Sequence, residues 1–238
     1  MAEPTQPTPP DGTGETRRRP GRAATAAARR RAREHEILTA TRQLFDTTGV
    51  RDAQIEDIAR AVGVNRAIIY RHFAGKEELF ALTVVGYLDE LSAILADAAE
   101  SAGGPPDRLT SLVEAFVDYG VAHPAFVDCA QTLMRRTGPE LLEEISEAAL
   151  FKLGRGIALC LRPLVRVLGE GVRTGEFKPM DPDVLANHMY ASGLGALQLA
   201  RVGMLVREAA PGVPTIAPLS AQQVRTYLVT TARALAAG

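Results

Sequence analysis

Two short apolar stripes joined by a glycine turn restrict the fold of this chain more than any other feature. The first stripe repeats at helical spacing and consists of Ile55, Ile58, Ala59 and Val62. Gly63 and Val64 then interrupt the helix, and Asn65 is a residue type that often caps a following helix. The next helix, at about 66–73, places Ile69 and Phe73 four residues apart on one side. This spacing predicts two short helices separated by a tight turn.

A longer helix is predicted before this pair, from residue 29 to near Gly49. Its core-facing residues form two adjacent rows, Ile37, Ala40 and Leu44 in one and Leu38, Thr41 and Phe45 in the other. Three helices in this order are typical of a helix-turn-helix module, whose last helix enters the major groove of DNA. That helix buries one stripe and presents the opposite stripe, here Arg66, Tyr70 and Arg71, to the bases and phosphates.

The distribution of charge supports a polyanionic partner. Although the net charge is −1, residues 17–80 contain 14 Arg and Lys against 8 Asp and Glu, a balance of +6 that leaves −7 for the remainder. Basic residues gathered in one part of a neutral chain indicate binding to nucleic acid. Charge alone is equally compatible with an anionic membrane surface.

Several spaced motifs between Ile58 and Leu79 resemble a known family. They are Ile58-Ala59, Gly63-Val64, Tyr70-Arg71-His72-Phe73 and Lys76-Glu77-Glu78-Leu79. Together they resemble the signature of TetR-family (tetracycline-repressor-like) transcriptional regulators, over about residues 29–80. The resemblance implies a homodimer that binds a palindromic double-stranded DNA operator and is released from it by a small molecule. It also implies that Tyr70, His72 and Lys76 contact phosphates, and that Asn65, Arg66 and Ala67 lie towards the bases.

Three residues depart from the family pattern. Gln54 stands where a Ser or Thr usually caps the second helix and touches a phosphate, Ala67 replaces a common Gly, and Ile68 replaces a common Thr. The last two change the surface that reads the bases, so the operator sequence of relatives does not transfer to this chain. Ile68 either meets a thymine methyl group or rests on the first helix. Arg71 is either a DNA contact or a solvated charge.

The first 28 residues are expected to form a disordered basic arm, because they are rich in Pro, Thr, Gly, Ala and Arg and lack apolar periodicity. The segment 17–22 resembles, with Pro and Gly reordered, the Arg-Gly-Arg-Pro core of minor-groove hooks. Arg18, Arg19 and Arg22 are therefore candidate minor-groove contacts. The alternative is a solvated tail that adds only salt-dependent, non-specific affinity.

Residues 81–238 are predicted to form a helical regulatory and dimerisation domain. A long helix from Lys76 is followed by helical periods at about 107–122, 124–136, 139–172, 182–207 and 219–236, and strand patterns are absent, so the fold class is all-α. In the resembled family the last two long helices form the dimer interface, which would be 182–207 and 219–236 here. The alternative is that their apolar residues serve the core of the monomer.

An effector pocket is expected among the helices of 107–172, with an apolar or weakly polar ligand. The candidate lining residues are Phe116, Tyr119, Phe126, Cys129, Met134, Phe151 and Met189. Each of them is also an ordinary core residue in an all-α domain. A second hypothesis is a thiol sensor that uses Cys129 or Cys160, although neither cysteine lies beside a cationic cluster in the sequence.

Other classes of protein have little support. The four histidines are scattered, and neither a phosphate-binding Gly loop nor a GxSxG nucleophile elbow is present, so neither an enzyme nor a metal or cofactor site is expected. The longest apolar runs are far shorter than the ~20 residues that cross a bilayer, and no signal peptide is recognised. A cytoplasmic, nucleoid-associated protein without membrane contact is therefore expected.

Overall fold

The structure, a computed structural model, describes residues 22–50 and 53–237. Helices dominate this part of the chain, which confirms the all-α fold class, and a single β-hairpin is inserted between the last two helices. In chain order the elements are α1 (Arg22–Thr48), α2 (Ile55–Val62), α3 (Arg66–His72), α4 (Lys76–Ala98), α5 (Pro105–Ala122), α6 (Pro124–Met134), α7 (Gly138–Glu144), α8 (Glu147–Thr174), α9 (Pro182–Val202), β1 (Met204–Ala210), β2 (Val213–Pro218) and α10 (Ala221–Ala237).

Helices α1, α2 and α3 form the predicted three-helix module. The turn between α2 and α3 depends on Gly63, whose φ of 71° lies in the left-handed region that favours glycine. The module encloses a small core that includes Ile37, Phe45, Ile58 and Ile69, all of them almost fully buried. The two apolar stripes of the sequence therefore meet as predicted.

Helix α4 connects this module to the rest of the molecule. It is long and apolar enough to cross a membrane by length and composition. Its apolar residues are instead accounted for by packing, because Leu88 and Leu91 are fully buried and α8 lies along the helix. The approach of α8 is close at Gly156, where a Cβ atom would stand 3.1 Å from Leu88. Core packing is thus sufficient to explain the composition of α4.

Two helix boundaries differ from the prediction. Helix α1 begins at Arg22, so residues 22–28 are helical rather than part of an extended arm. The single helix expected at 139–172 is divided into α7 and α8, since Ile145 adopts extended backbone and Ser146 caps α8 by accepting a hydrogen bond from the Ala149 amide. Ser at this position competes with the helix through its hydroxyl, and periodicity alone does not register that effect.

The hairpin is the largest departure from the prediction. Helix α9 ends at Val202, rather than near 207, because Gly203 takes a φ of 70°. Residues that were expected to finish a helix and form a Pro-rich loop are instead antiparallel strands, with Val206 opposite Ile216 and a bulge between Glu208 and Ala210. Gly212 forms the turn with a φ of 77°.

Candidate DNA-binding surface and regulatory cavity

Helix α3 is held rigidly at its start and buries one side. The Asn65 side chain accepts a hydrogen bond from the Ile68 amide at 3.1 Å, as the capping pattern predicts. Ile69 is fully buried, whereas Asn65, Arg66 and Ala67 are exposed. The residues expected to face the bases therefore lie together on the solvent side of the first turn.

The outer stripe of α3 carries the two further side chains that the spacing predicted. Tyr70 is 53% exposed and Arg71 is exposed too. Arg66 reaches back to Glu56 of α2 at 3.1 Å, while Arg71 has no ion-pair partner within the described residues. Because its charge is uncompensated, Arg71 is well suited to a phosphate.

A basic cleft separates α3 from the first turns of α1. Its volume is about 480 Å³, and its lining residues are Arg29, Arg30, Arg33, Ile68, Arg71 and His72. Ile68 is half-buried in this cleft, so it partly rests against the α1 side of the surface. The arginines of α1 thus extend the positive surface of the recognition helix.

His72 joins α3 to α1. Its Nδ1 atom lies 3.4 Å from Glu34 Oε1, and its side chain is largely buried. Burial alone would raise the pKa of Glu34. Hydrogen bonds from Arg30 and His72 lower it by a larger amount, so the pKa falls below its usual value. A charged Glu34 consequently anchors both basic side chains at the edge of the cleft.

Gln54 and Lys76 flank the recognition helix. Gln54 is exposed at the start of α2, where its backbone amide donates to Asp57 Oδ2 at 3.2 Å. Asp57 thus caps the Gln54 amide as the third residue of α2, in the manner of a capping box. Lys76 is the first residue of α4, with Nζ 5.1 Å from the centre of the Phe80 ring.

Of the candidate minor-groove residues, only the backbone of Arg22 lies within the described part of the chain. Arg18 and Arg19 lie outside the described residues. Arg22 is the first residue of α1, so the expectation that the disordered arm extends to residue 28 is wrong, while contact of Arg22 with the minor groove stays a prediction. A helical backbone does not present successive arginines to a groove in the way an extended arm does.

Two polar links join the three-helix module to the helices that follow it. Glu78 is nearly buried and accepts hydrogen bonds from the Ala74 amide at 2.6 Å and the Ser146 hydroxyl at 2.5 Å. It thereby connects the turn after α3 with the first turn of α8. Arg42 of α1 holds Glu90 of α4 through two hydrogen bonds of 2.5 and 2.6 Å. Sequence reasoning missed both links because they join residues far apart in the chain.

An apolar cavity of about 70 Å³ lies between α4, α5, α8, α9 and α10. Two of the predicted lining residues, Phe116 and Met189, border it. The other lining residues, which the sequence did not single out, are Leu91, Leu95, Leu112, Val113, Cys160, Leu161, Leu164, Tyr190, Ser192, Gly193, Leu228, Thr231, Ala232 and Leu235. None of them carries a formal charge at neutral pH, and Ser192, Thr231 and Tyr190 supply hydroxyl groups. The lining favours a neutral, largely apolar ligand.

The remaining candidate lining residues lie elsewhere. Tyr119, Phe126 and Cys129 are buried in a separate part of the core, where the rings of Tyr119 and Phe126 are 5.6 Å apart. Met134 is 53% exposed and Phe151 is 71% exposed, so the expectation that they line a pocket is wrong. Both lie on the outward side of their helices, and an apolar residue type does not specify a direction.

Neither cysteine has the environment of a reactive thiol. Both are buried, and Cys160 Sγ donates to the carbonyl of Leu88 at 3.4 Å. Burial raises the pKa of Cys160 to about 12 and that of Cys129 still higher. Because the thiolate is the nucleophile, the thiol-sensor hypothesis is not supported.

Comparisons with known proteins agree with this geometry. The family model described as bacterial regulatory proteins of the tetR family matches residues 37–83. The chain is 29% identical over 159 residues to the HTH-type transcriptional repressor KstR2 of Mycobacterium tuberculosis, which covers 65% of this chain and 74% of that protein. It is 30% identical over 87 residues to the HTH-type transcriptional activator FasR of Mycolicibacterium smegmatis, which covers 37% of this chain and 40% of that protein.

The likeness to KstR2 extends to three dimensions. The structure of the ketosteroid transcriptional regulator KstR2 of Mycobacterium tuberculosis matches with a TM-score of 0.57 and 26% sequence identity. The match covers 87% of this chain and 95% of that chain. The similarity thus includes the helices after α4 as well as the helix-turn-helix.

Proposed function

Because this chain is a DNA-binding transcriptional regulator of the TetR family and not an enzyme, we propose that it is a homodimeric repressor, released from its operator by a neutral, largely apolar effector. The relatives support repression in the case of KstR2 and include an activator, FasR. The alignment with KstR2 is the longer of the two and reaches into the regulatory domain, so repression is the favoured function.

One observation carries the proposed mechanism: α4 reaches both the DNA-binding surface and the cavity. Lys76 begins the helix beside the recognition helix, and Leu91 and Leu95 line the cavity. Fifteen residues of helix span about 22 Å. An effector that displaces the cavity end of α4 therefore changes the position of Lys76 and, through Glu78, of the turn after α3.

The effector is an apolar molecule with one or two hydrogen-bond acceptors. The cavity has no charged group to bind an ionised ligand, whereas the hydroxyls of Thr231 and Tyr190 can donate to a carbonyl or hydroxyl oxygen. KstR2 is described as a ketosteroid regulator, and a ketosteroid has this kind of chemistry. A cyclic ketone is accordingly the first ligand class to test.

The dimer forms through α9 and α10 and acts in the cytoplasm, on the nucleoid. Of the fifteen exposed large apolar side chains in the described part of the chain, five lie on α9 and α10 and four more lie on the hairpin between these helices. A monomer would leave this concentration of apolar surface in water. A two-fold dimer also matches a palindromic operator, because each half-site receives one α3.

Selection from a random pool of duplexes, followed by titration of the recovered operator, tests the DNA-binding proposal. Arg71→Ala is expected to weaken operator binding and to reduce the slope of log affinity against log salt by roughly 1. Arg155→Ala is the matched control, since it removes an exposed arginine from α8, far from α3 along the chain. Equal effects of the two substitutions would contradict the assignment of Arg71.

Release is tested with the same operator. Cyclic ketones and alcohols of graded size are added to the complex, and dissociation is followed by fluorescence anisotropy. The proposal requires that at least one of these compounds releases the protein and raises its melting temperature without DNA. Failure of the whole series would contradict the proposed ligand class.

A further inference from the structure

The β-hairpin carries an apolar face that nothing in the described chain covers. Residues directly opposite each other in a ladder share a face, as do residues two apart along a strand. The register therefore places six residues on one face, five of them apolar, here called the outer hairpin face: Met204, Val206, Glu208, Pro214, Ile216 and Pro218. Val206 is 75% exposed and Ile216 is 67% exposed.

The opposite face of the hairpin has a different character. It carries Leu205 and Ala217, which are half-buried near the base, and Arg207 and Thr215 further out. At the base, the Leu219 amide donates to the Gly203 carbonyl at 2.9 Å. The hairpin is thus attached to its own chain at the base, on the side of Leu205 and Ala217, and the outer hairpin face is left in water.

An isolated two-stranded hairpin is only marginally stable in water, and it normally needs a packed apolar face. In this hairpin the outer hairpin face is the more apolar of the two, and it is exposed to water. A covering partner would therefore both remove Val206 and Ile216 from water and stabilise the pairing of the strands.

The outer hairpin face is continuous in the chain with the proposed dimer interface. Strand β1 follows α9 after Gly203 alone, and β2 leads into α10 through two residues. Exposed apolar side chains lie on both flanking helices, with Leu199 and Val202 near the end of α9 and Tyr227 on α10. The hairpin therefore begins and ends at the two helices of the proposed dimer interface, each of which also carries exposed apolar side chains.

The charges of the hairpin exclude attraction to a polyanion as the reason for this surface. Between residues 204 and 218 the chain has one basic residue, Arg207, and one acidic residue, Glu208. A hairpin with no net charge is not drawn to anionic lipid or to DNA phosphates. A second copy of the same chain offers an apolar surface that could cover the hairpin, because a two-fold axis brings the corresponding surface of the partner to the same interface.

We infer that the outer hairpin face docks on a second copy of this chain, so that each hairpin is an arm that packs on the partner subunit. This inference rests on the proposed homodimer and adds to it an interface outside α9 and α10. Two-fold symmetry supplies two such contacts in each dimer.

The test compares two substitutions at adjacent residues on opposite faces of the same strand. Ile216→Asp places a charge on the outer hairpin face, and Thr215→Asp places the same charge on the opposite face. Dimer dissociation of the full chain is measured by sedimentation velocity over a dilution series, with circular dichroism to verify folding. We expect Ile216→Asp to raise the dimer Kd roughly tenfold or more, as for a central apolar interface residue. Thr215→Asp should change the Kd less than threefold.

The outcomes separate this inference from the proposed dimer. If Ile216→Asp leaves the Kd unchanged while Tyr227→Asp on α10 raises it, the arm is refuted and the dimer through the helices stands. If the wild-type chain is a monomer at all concentrations, the proposed dimer and the arm are both refuted. The arm would also be refuted if the full-length wild-type protein bound phosphatidylglycerol vesicles through its hairpin and Ile216→Asp left the dimer Kd unchanged.

A second measurement keeps the inference testable if Ile216→Asp does not fold. Hydrogen–deuterium exchange of the wild-type chain is followed above and below the dimer Kd. The amides of β1 and β2 should exchange faster in the monomer, because the strands then lose their cover. Equal exchange of the hairpin at the two concentrations would overturn the inference.

Discussion

Asn65 has both a structural contact and an exposed position on the recognition helix. Its side-chain oxygen accepts the hydrogen bond from the Ile68 amide, and the residue borders Arg66 and Ala67 on the surface that we propose faces DNA. The side-chain oxygen of Asn65 is therefore occupied in capping α3, while its side-chain amide nitrogen is available to a base or phosphate.

Substitution of Asn65 separates these roles. Asn65→Ala should lower the free energy of unfolding by about 1 kcal/mol, because the cap of α3 is lost. Asn65→Asp keeps an acceptor for the Ile68 amide and should retain most of the stability, yet it should weaken operator binding through repulsion from phosphates. Thermal unfolding and operator titration measure the two effects, and equal stability of Asn65→Ala and wild type would contradict the capping role.

For single residues, the sequence predicted contacts between near neighbours well, but it predicted poorly which way a side chain points. Spacing alone predicts the structural roles of Asn65, Gly63 and Ile69, because each of these roles involves neighbours close in the sequence. Phe151 and Met134 were assigned to a pocket by residue type, and both are exposed. Whether an apolar residue points towards a cavity depends on how its helix is rotated against distant helices, and one sequence does not contain that information in its local pattern.

Among the elements, the junction of α1 and α4 depends on an ion pair with a defined pH range. The hydrogen bond from Arg42 lowers the pKa of Glu90 below its usual value of 4.5. Since the folded pKa is lowered, the pair stabilises the fold above about pH 4.5, and this contribution is lost as the pH falls through the folded value.

Glu90→Gln should therefore lower the melting temperature at pH 7 and have little effect near pH 3. The Glu90 side chain is 48% exposed, so the loss should be below about 1 kcal/mol, or a few degrees. Glu143→Gln, an exposed carboxylate on α7, is the control and should have no pH-dependent effect. A Glu90→Gln difference that is the same at pH 3 and pH 7 would contradict this role of the ion pair.

The end of α8 depends on the absence of a side chain at Gly171. A Cβ atom there would overlap the ring of Phe177, which is buried against the helix. The Phe177 amide also donates to the Gly171 carbonyl at 2.9 Å, so the ring is not free to move away.

Gly171→Ala should destabilise the protein by about 1–3 kcal/mol through overpacking. Gly154→Ala on the same helix is the matched control, because its Cβ would meet no atom within 4 Å. Denaturant unfolding measures both variants. A Gly171→Ala variant as stable as Gly154→Ala would show that Phe177 can be displaced without cost.

The hairpin shows why an element can be missed by periodicity. Leu194, Leu197 and Val202 continue a helical pattern, and Leu205 extends it beyond the actual end of α9. The β-branched residues Thr215 and Ile216 are typical of a strand, but their Pro neighbours indicated a loop. Proline is compatible with an edge strand, and in a two-stranded sheet both strands are edges.

For the whole molecule, regulation requires that occupation of the cavity changes the DNA-binding surface. Ala232 of α10 lines the cavity and is buried, so a larger side chain at this position would occupy the space of an effector.

Ala232→Phe should weaken operator binding in the absence of an effector, because its ring fills the cavity as an effector would, and it should respond little to an effector that releases the wild type. Ala234→Phe, at an exposed position on the same helix that does not line the cavity, should respond normally. Anisotropy of a labelled operator measures both binding and release. Normal release of Ala232→Phe, with correct folding verified by circular dichroism, would contradict the assignment of the cavity as the effector site.

In a cell that contains several regulators of one family, the hairpin would also affect which subunits form dimers with each other. Helical dimer interfaces built from small and apolar residues resemble one another, so mixed dimers are a hazard for paralogous proteins. A relative without a matching arm would leave Val206 and Ile216 of this chain uncovered, and the mixed pair would be weaker than the matched one. The inserted strands would in this way keep each operator under the control of a single gene product.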